Sequence, residues 1–258
     1  MQKNIVAEPQ LAGQGKQKIE WVKRNMPILR QIEDDFRKHQ YFSGLRVLVC
    51  IHLEAKTAYL AQVFAAGGAE VAVTGSNPHS TKDDVVAALA EEGMHVYARY
   101  GATPEEMRQY MNRALDVRPN IMIDDGGDIA ELLHTERQEL LPEVLGACEE
   151  TTTGVLRAKA RAKAGVLEFP VVLINDARCK YLFDNYHGTG QSVWDGVMRT
   201  TNLVVSGKTV VIIGYGWCGK GCAERAQGLG ANVIVCEVDP IKAADALMHG
   251  LRVMPLNQ

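Results

Sequence analysis

The stretch Thr209–Gly221 constrains the fold of this 258-residue chain more than any other part of the sequence. An apolar run leads into Gly214, Gly216 and Gly219, which have the G-x-G-x-x-G spacing of a turn between a buried strand and a helix. The first glycine permits the tight turn, the second lets the backbone approach a pyrophosphate, and the third lets helix and strand pack closely. Because the helix start offers unpaired N–H groups to phosphates, the stretch predicts a dinucleotide site.

An acidic residue follows this turn at the spacing typical of dinucleotide sites. The second apolar run, Asn232–Cys236, is followed at once by Glu237, 23 residues after Gly214. A carboxylate at this position accepts hydrogen bonds from ribose hydroxyls and repels a 2′-phosphate, so the pattern favours NAD over NADP. The cofactor-binding residues predicted for this half of the chain are Gly214, Gly216, Gly219, Lys220, Gly221 and Glu237.

Composition narrows the class of protein. Apolar residues make up 47% and charged residues 23% of the chain, which is typical of a globular protein with sizeable cores. A net charge of -3 gives no reason to expect a nucleic-acid partner or an anionic membrane. No apolar run is long enough to span a bilayer, and none of the six cysteines forms C-x-x-C, so we expect a cytoplasmic protein with reduced thiols and no metal site.

The remainder of the chain alternates between strand-like and helical patterns. A charged amphipathic region at 15–40 precedes apolar runs at 46–50, 70–74, 95–98, 120–123, 144–148 and 170–174. Helical patterns lie between them, at 54–66, 82–91, 104–117, 129–140 and 151–164. This alternation predicts an α/β fold with two domains of parallel sheet flanked by helices, the second of Rossmann type and incomplete within this chain. We expect a substrate-binding domain at 1–174, a hinge at 175–190 and part of an NAD-binding domain at 191–258.

Polar clusters follow four of the predicted strands. They are His52–Thr57, Asn77–Thr81, Asp124–Asp128 and Glu149–Gly154. Open parallel sheets bind ligands at the carboxyl ends of their strands, so we expect these clusters to face one crevice. Each cluster also has a plain structural interpretation, since aspartates and threonines at these places are suited to turns and helix caps.

Four motifs, taken together and in this order, resemble the S-adenosylhomocysteine hydrolase family. They are Ile123-Asp-Asp-Gly-Gly-Asp128, Glu149-Glu-Thr-Thr-Thr-Gly154, Phe183-Asp-Asn185 and Gly214-Tyr-Gly-Trp-Cys-Gly-Lys-Gly221. The resemblance runs from about residue 8 to the last residue. It implies a tightly bound NAD in one domain, a nucleoside thioether in the other, and a hinge that closes over the substrate. It also implies a homo-oligomer.

The resemblance further implies a reaction. The 3′-hydroxyl of the nucleoside is oxidised, the thiol at C5′ is eliminated, water adds, and the ketone is reduced back. Lys180 and Asp184 would serve the 3′-hydroxyl, Asp125 would be the base at C4′, and His52 would assist thiol departure and water entry. These four are the predicted catalytic residues, and the i, i+4 spacing of Lys180 and Asp184 itself predicts that their side chains meet on a helical turn.

The resemblance assigns binding roles as well. The predicted substrate-binding residues are Glu54, Lys56, Ser80, Glu150, Lys180 and Asp184. Residues expected near the nicotinamide end of NAD are Thr151, Thr152, Thr153 and Asn185. Asp128 is expected to cap the helix that follows it.

Three departures from the family pattern matter. Thr189 stands where many members have a cysteine, which excludes a thiol role there. Glu54 and Lys56 stand where many members have threonine and then glutamate or glutamine. Lysine is a hydrogen-bond donor only, so Lys56 would favour an inosyl substrate if it faces the base, and it is a solvated surface lysine if it does not. Family members also continue beyond residue 258, which suggests a fragment or a truncated protein.

Two other functions stay open from sequence alone. A plain NAD dehydrogenase would not need the Glu149–Thr153 cluster and would release NADH. A non-catalytic NAD-binding homologue would have no need for Asp125, Lys180 and Asp184 together.

Overall fold

The structure is a computed structural model that describes residues 4–258. The chain divides into two compact units, one ending at Asn175 and the other comprising Asp176–Gln258, and each is described by itself. None of the helices in residues 4–258 combines the length and apolarity needed to cross a bilayer. Within the same residues, no group of three or more His, Cys, Asp or Glu side chains is placed to hold a metal ion, and all six cysteines are free thiols.

The first unit is an α/β layer structure around one parallel sheet. Its strands are β1 (Arg46–Ile51), β2 (Glu70–Gly75), β3 (His95–Tyr97), β4 (Ile121–Asp124), β5 (Gly146–Glu149) and β6 (Val171–Leu173). They are hydrogen-bonded in the order β3-β2-β1-β4-β5-β6, so the direction of strand addition reverses between β1 and β4. This is the doubly wound arrangement, in which ligands bind at the carboxyl ends of the strands beside the reversal.

Seven α-helices lie within residues 4–175 of this unit. They are α1 (Ala12–Arg24), α2 (Pro27–His39), α3 (Ala55–Ala66), α4 (Asp83–Glu91), α5 (Pro104–Leu115), α6 (Asp128–Thr135) and α7 (Thr152–Lys163). The amphipathic region predicted at 15–40 is thus two helices, because Pro27 cannot continue α1 and instead starts α2 at its first position.

Both faces of the first sheet are buried, since alternate residues of β1 enter different cores. Val47 and Val49 pack with residues of α1, α3 and α4. Leu48 and Cys50 pack with residues of α5 and α6. Fully burying such an apolar side chain contributes roughly 1.5–3 kcal/mol, so β1 is fixed on both sides. The strand end that follows it is therefore a rigid support for a site.

The second unit begins with continuous helix. Helical residues comprise α8 (Arg178–Lys180), a π-helical segment (Tyr181–Gly188) and α9 (Thr189–Thr201). The sequence predicts a hinge at 175–190, and in the structure the residues of this segment from Arg178 onward are helical. Gly190 has a packing reason to be glycine, because a Cβ there would lie 2.8 Å from the backbone of Gly221.

A three-stranded parallel sheet forms the rest of this unit. Its elements in chain order are β7 (Thr209–Ile213), α10 (Trp217–Gly228), β8 (Asn232–Cys236), α11 (Pro240–Met248) and β9 (Arg252–Val253). The strand order β7-β8-β9 is that of the first half of a doubly wound sheet. Along the edge strand β7, Val211 and Ile213 are 50% and 71% exposed, so one face of this strand is uncovered in the chain.

Candidate functional site

The first unit brings a histidine, a carboxylate and two hydroxyls together at adjoining strand ends. His52 Nε2 lies 3.4 Å from Asp125 Oδ2, and His52 Nδ1 lies 2.7 Å from Ser80 Oγ. Ser76 Oγ donates to the same Asp125 Oδ2 at 2.9 Å. Each imidazole nitrogen thus has a partner, which fixes the ring plane of His52. We call these four residues the histidine–aspartate cluster.

The topology explains why these side chains meet. His52 follows β1, Ser76 follows β2 and Asp125 follows β4, and both β2 and β4 pair with β1. Parallel neighbours end at the same edge of a sheet, so polar residues just beyond each strand converge there. The Asp125 carboxylate is 8% exposed and the His52 side chain 56%, which leaves the ring accessible from solvent beside a largely buried acid.

Two further carboxylates are buried beneath this cluster. Asp124 and Glu149 are 2% and 3% exposed and are paired in register on β4 and β5. Asp124 accepts hydrogen bonds from the backbone N–H groups of Asp125 and Ala130. Burial raises the pKa of Asp124 to about 7, and the negative charge of Glu149 adds to this effect against the hydrogen bond from Ala130.

Glu149 holds the turn from the other side. Its Oε1 accepts the backbone N–H groups of Gly126 at 2.8 Å and Thr151 at 3.0 Å. Burial raises the pKa of Glu149, while these two hydrogen bonds oppose the shift. A Cβ on Gly154 would lie 2.1 Å from Glu149 Cδ, so the start of α7 packs directly on this carboxylate. The backbone on either side of Asp125 is therefore clamped by buried acids.

The helix caps differ from expectation at two positions. The N-cap residue of α6 is Gly127, and Asp128 lies in the first turn, so the predicted capping role of Asp128 is wrong. Gly127 has φ +78°, a conformation that glycine adopts without strain. Thr151 is the N-cap residue of α7 but makes no side-chain cap bond, and its own N–H donates to Glu149 Oε1.

The other predicted threonines have different surroundings. Thr152 Oγ1 accepts a hydrogen bond from Asn175 Nδ2 at 3.1 Å. Thr153 is exposed in the first turn of α7. Thr151, Thr152 and Thr153 therefore surround the start of one helix, where backbone N–H groups and hydroxyls are together.

The residues expected near the purine have distinct roles. Glu54 is the N-cap residue of α3, and its Oε1 accepts the N–H groups of Lys56 and Thr57 at 3.0 and 3.3 Å. Lys56 is an exposed residue of the first helical turn. It also lines a cavity of about 650 Å³ together with Ile51 and Glu150. The other lining residues come mainly from α2 and the turn before it and are Asn25, Met26, Pro27, Ile28, Leu29, Ile32, Thr57 and Leu60.

The second unit contains the other pair of candidate catalytic residues. Lys180 Nζ lies 3.0 Å from Asp184 Oδ2, as the spacing predicts, and also donates to Asn185 Oδ1 at 3.0 Å. The Asn185 amide in turn lies 3.6 Å from Cys218 Sγ at the start of α10. The Lys180 side chain is only 11% exposed, whereas that of Asp184 is 59% exposed. π-Helical segments are rare in proteins, but those that do occur are often found at functional sites. This one contains Asp184 and Asn185.

The glycine turn has the geometry that its spacing predicts. Gly214 has φ +92°, and a Cβ on Gly219 would lie 2.0 Å from the Gly214 carbonyl oxygen. A Cβ on Gly216 would meet no atom within 4 Å, so this position faces open space at the start of α10. The turn therefore forms a cradle whose second glycine borders open space, as an approaching pyrophosphate requires.

Glu237 helps to shape this cradle. Its carboxylate accepts the backbone N–H groups of Tyr215 at 2.6 Å, Val238 at 2.7 Å and Asp239 at 2.9 Å. These bonds, with that from Asp239 the largest, lower the pKa of Glu237 and keep it ionised. Lys220 Nζ lies 2.9 Å from Asp245 Oδ2 on α11, so this lysine ties α10 to α11.

Sequence reasoning missed three residues of the first unit. Ser76 is the hydroxyl between Gly75 and Asn77, and its position directly after a strand was the available signal. Asp124 and Glu149 are each followed by a second acid, Asp125 and Glu150, and the sequence analysis assigned the functional role to the second acid. An acid that ends an apolar strand run is a candidate for burial, and that pattern marks both.

Fold and site together define a class of protein. It is an α/β protein with a doubly wound unit that carries a histidine–carboxylate cluster and a second unit that carries a dinucleotide cradle. The family model described as S-adenosyl-L-homocysteine hydrolase matches residues 3–145, and the model of that enzyme's NAD-binding domain matches residues 185–258. The chain belongs to the S-adenosyl-L-homocysteine hydrolase family, and NAD is the cofactor of its second unit.

Curated relatives carry two different names. The chain is 57% identical to the adenosylhomocysteinase of Pyrococcus abyssi over 98% of this chain and 60% of that protein. It is 55% identical to the S-inosyl-L-homocysteine hydrolase of Methanocaldococcus jannaschii over 95% of this chain and 59% of that protein. The chain thus spans about 60% of the length of these relatives. A solved structure of a dipicolinate synthase chain from Bacillus halodurans is 14% identical, over 84% of this chain and 69% of that one, with a TM-score of 0.45.

Proposed function

We propose that the protein takes part in the NAD-dependent, reversible hydrolysis of S-adenosyl-L-homocysteine to homocysteine and adenosine. The observation that carries the proposal is the histidine–aspartate cluster at the sheet reversal of a chain that also contains a dinucleotide cradle. In the net reaction water adds to C5′ and the C5′–sulfur bond breaks, with the proton going to the thiol. When bound, NAD accepts a hydride from C3′ and later returns it.

Proton transfer at the 3′-oxygen is assigned to the second unit. Lys180 is nearly buried and is held by Asp184 and Asn185, so its ammonium group is fixed in direction. A lysine in this setting holds or moves the proton of a hydroxyl that becomes a ketone. Glu150, which lines the cavity beside Lys56, is assigned the ribose hydroxyls.

Chemistry at C4′ and C5′ is assigned to the first unit. A ketone at C3′ makes the C4′ hydrogen acidic, and Asp125 is the base proposed to remove it. His52, held between Ser80 and Asp125, is proposed to protonate the departing sulfur and to deprotonate the incoming water. The buried pair Asp124 and Glu149 holds the backbone that carries Asp125, which keeps base and imidazole within reach of one another.

The inosyl thioether is the second candidate substrate, and Lys56 favours it. The Glu54 carboxylate accepts two N–H groups at the start of α3, so in this structure it serves the helix end. Lys56 offers only donors to the cavity that it lines, and hypoxanthine presents an acceptor oxygen where adenine presents a donor amino group. A site that pairs with one purine edge rejects the other strongly, because mismatched polar groups stay unpaired.

Calorimetric titration decides between the two purines. The chain is titrated with the adenosyl and the inosyl thioether, before and after Lys56→Gln, with Lys38→Gln on α2 as a control lysine that does not line the cavity. If the original chain prefers the inosyl compound and Lys56→Gln abolishes this preference, Lys56 determines which purine is bound. An unchanged ratio of affinities would show that Lys56 does not contact the base and would leave the adenosyl compound as the substrate.

The remaining assignments are also proposals. Thr151, Thr152, Thr153 and Asn185 are assigned to the nicotinamide end of NAD, on the family resemblance and on their position at helix starts or beside Lys180. The segment 175–190 is assigned the movement between the two units. A cytoplasmic homo-oligomer, specifically a homotetramer that acts in one-carbon metabolism, is proposed on the same resemblance.

A further inference from the structure

A second cavity adjoins the histidine–aspartate cluster and has no role in the scheme above. It has a volume of about 450 Å³ and lies between the end of β2, α5 and α6. Ser76 lines it, and Ser76 Oγ donates to the Asp125 carboxylate at 2.9 Å, so the cavity opens beside the proposed reacting centre. We call it the α5–α6 cavity.

This cavity and the one beside Lys56 are associated with different faces of the sheet. The Lys56 cavity is lined by α2 and α3, and α3 belongs to the core on one face. The α5–α6 cavity is lined by the two helices that pack with the other face. The histidine–aspartate cluster lies at the strand ends between them. A substrate that places its base in the first cavity and its C5′ at His52 would extend its remaining end toward the second.

The charged groups of the α5–α6 cavity have both signs. Asp128 and Glu131 are one turn apart on α6, and both side chains are about half exposed. Each is paired with an arginine of α7, Asp128 with Arg157 and Glu131 with Arg161, but a carboxylate has about four acceptor sites, so one pairing does not exhaust it. Arg108 of α5 and the exposed His79 line the same cavity. Arg108 is paired with Glu136, and a guanidinium group has five N–H donors, so one pairing does not exhaust it.

Apolar groups complete the lining. They are Pro78, Ala102, Pro104, Met107, Met111 and Leu132. A cavity lined by carboxylates of α6, a guanidinium of α5 and apolar side chains suits a short zwitterion with an aliphatic chain.

We propose that the α5–α6 cavity binds the amino-acid end of the thioether substrate. Its ammonium group pairs with Asp128 and Glu131, its carboxylate with Arg108, and its methylene groups lie on Met107 and Leu132. This inference rests on the proposed function, because the substrate end it assigns is the homocysteine half of that thioether. With this assignment, Arg108 determines which leaving group the accepted substrate carries.

The test compares ligands that differ only in this end. Calorimetry measures the affinity of the chain for three ligands built on whichever purine binds more tightly. They are the homocysteine thioether, the 5′-methylthio nucleoside without the amino-acid end, and the 3-aminopropylthio nucleoside without the carboxylate. The variants are Arg108→Ala and, on the same helix, Arg113→Ala, which is exposed and does not line the cavity.

Arg108→Ala should weaken the homocysteine thioether about tenfold or more, as expected for a lost hydrogen bond to a charged group. It should leave the other two ligands unchanged, and Arg113→Ala should change none. Equal effects on all three ligands, or no effect on any, would overturn the assignment. So would equal affinity of the original chain for the homocysteine thioether and the methylthio nucleoside, and this result would leave the proposed function intact.

If neither the adenosyl nor the inosyl thioether binds, the result counts against the proposed function instead. Titration with L-homocysteine alone, followed by ¹H–¹⁵N spectra, then decides the assignment of the cavity. Shifts of the Arg108 and Asp128 amides that Arg108→Ala removes would support it, and spectra without shifts would overturn it.

Discussion

Among single residues, Asp124 combines deep burial with a direct structural task. It is 2% exposed, and its two oxygens accept the backbone N–H groups that shape the turn of Asp125. The raised pKa means that the folded state holds a proton on this carboxyl group that the unfolded chain releases at lower pH. Stability and site geometry therefore depend on the same group.

This residue gives a prediction with a definite sign. The folded pKa of Asp124, about 7, lies above the ordinary value of 3.8, so its contribution is full below about pH 4 and is lost as pH rises through 7. The change amounts to a few kcal/mol, since each pKa unit corresponds to about 1.4 kcal/mol. Urea unfolding at a series of pH values should show a flatter profile between pH 4 and 7 for Asp124→Asn than for the original chain, with the exposed Asp195→Asn as control. Parallel profiles for all three proteins would contradict the prediction.

Lys180 and Asp125 give a second prediction at this scale, because they are assigned different steps. In a preparation that turns over substrate, Lys180→Ala should slow NADH formation on the enzyme, whereas Asp125→Asn should allow it and then stall before thiol release. Losses of about 10²–10⁴-fold are typical for groups that transfer protons. Stopped-flow absorbance of NADH, followed with a thiol reagent, separates the two steps. Slow NADH formation in Asp125→Asn would show that its role is misassigned.

At the level of elements, the turn between β7 and α10 contains two glycines, and a different physical requirement explains each of them. Gly219 is required by packing, since a Cβ there would lie 2.0 Å from the Gly214 carbonyl oxygen. Gly216 has room for a Cβ, so packing does not require a glycine there, and we propose that the approach of the pyrophosphate does. The same turn therefore separates a structural requirement from a ligand requirement.

A matched pair of substitutions follows from this difference. Gly219→Ala should lower the melting temperature of the second unit and weaken NAD binding, because the helix must move off the strand. Gly216→Ala should leave the melting temperature within about 1–2 °C while weakening NAD, because only the approach of the pyrophosphate is obstructed. Thermal unfolding by circular dichroism and calorimetric NAD titration measure the two quantities. Equal melting losses in both variants would refute the distinction.

For the whole molecule, the sequence predicted most strands and helices because parallel strands alternate with helices in a regular pattern. The convergence of His52, Ser80 and Asp125 was predictable for the same reason, since parallel strands end at one edge. The partner Ser76 follows β2 directly and could have been predicted by the same rule. The predicted bounds were close, and the main local error was the two-helix region at 15–40.

Long-range contacts set the limit of what sequence could predict. In the segment predicted as a hinge at 175–190, Gly190 also serves close helix packing, which only its approach to Gly221 reveals. The sequence suggested Glu54 as a ligand for the base, and its capping of α3 depends on a backbone angle that composition does not encode. The clamping of the Asp125 turn by Glu149 likewise joins residues over 20 positions apart.

Calorimetric titration of the chain with NAD and NADP shows whether the glycine turn and Glu237 select NAD. We expect NAD to bind more tightly, and Glu237→Gln to narrow the difference in binding free energy by about 1.5–3 kcal/mol, the value of a hydrogen bond to a charged group. Asp195→Asn, an exposed acid of α9, should leave both affinities unchanged. Equal affinity for NAD and NADP, or no binding of either, would show that the second unit does not select NAD.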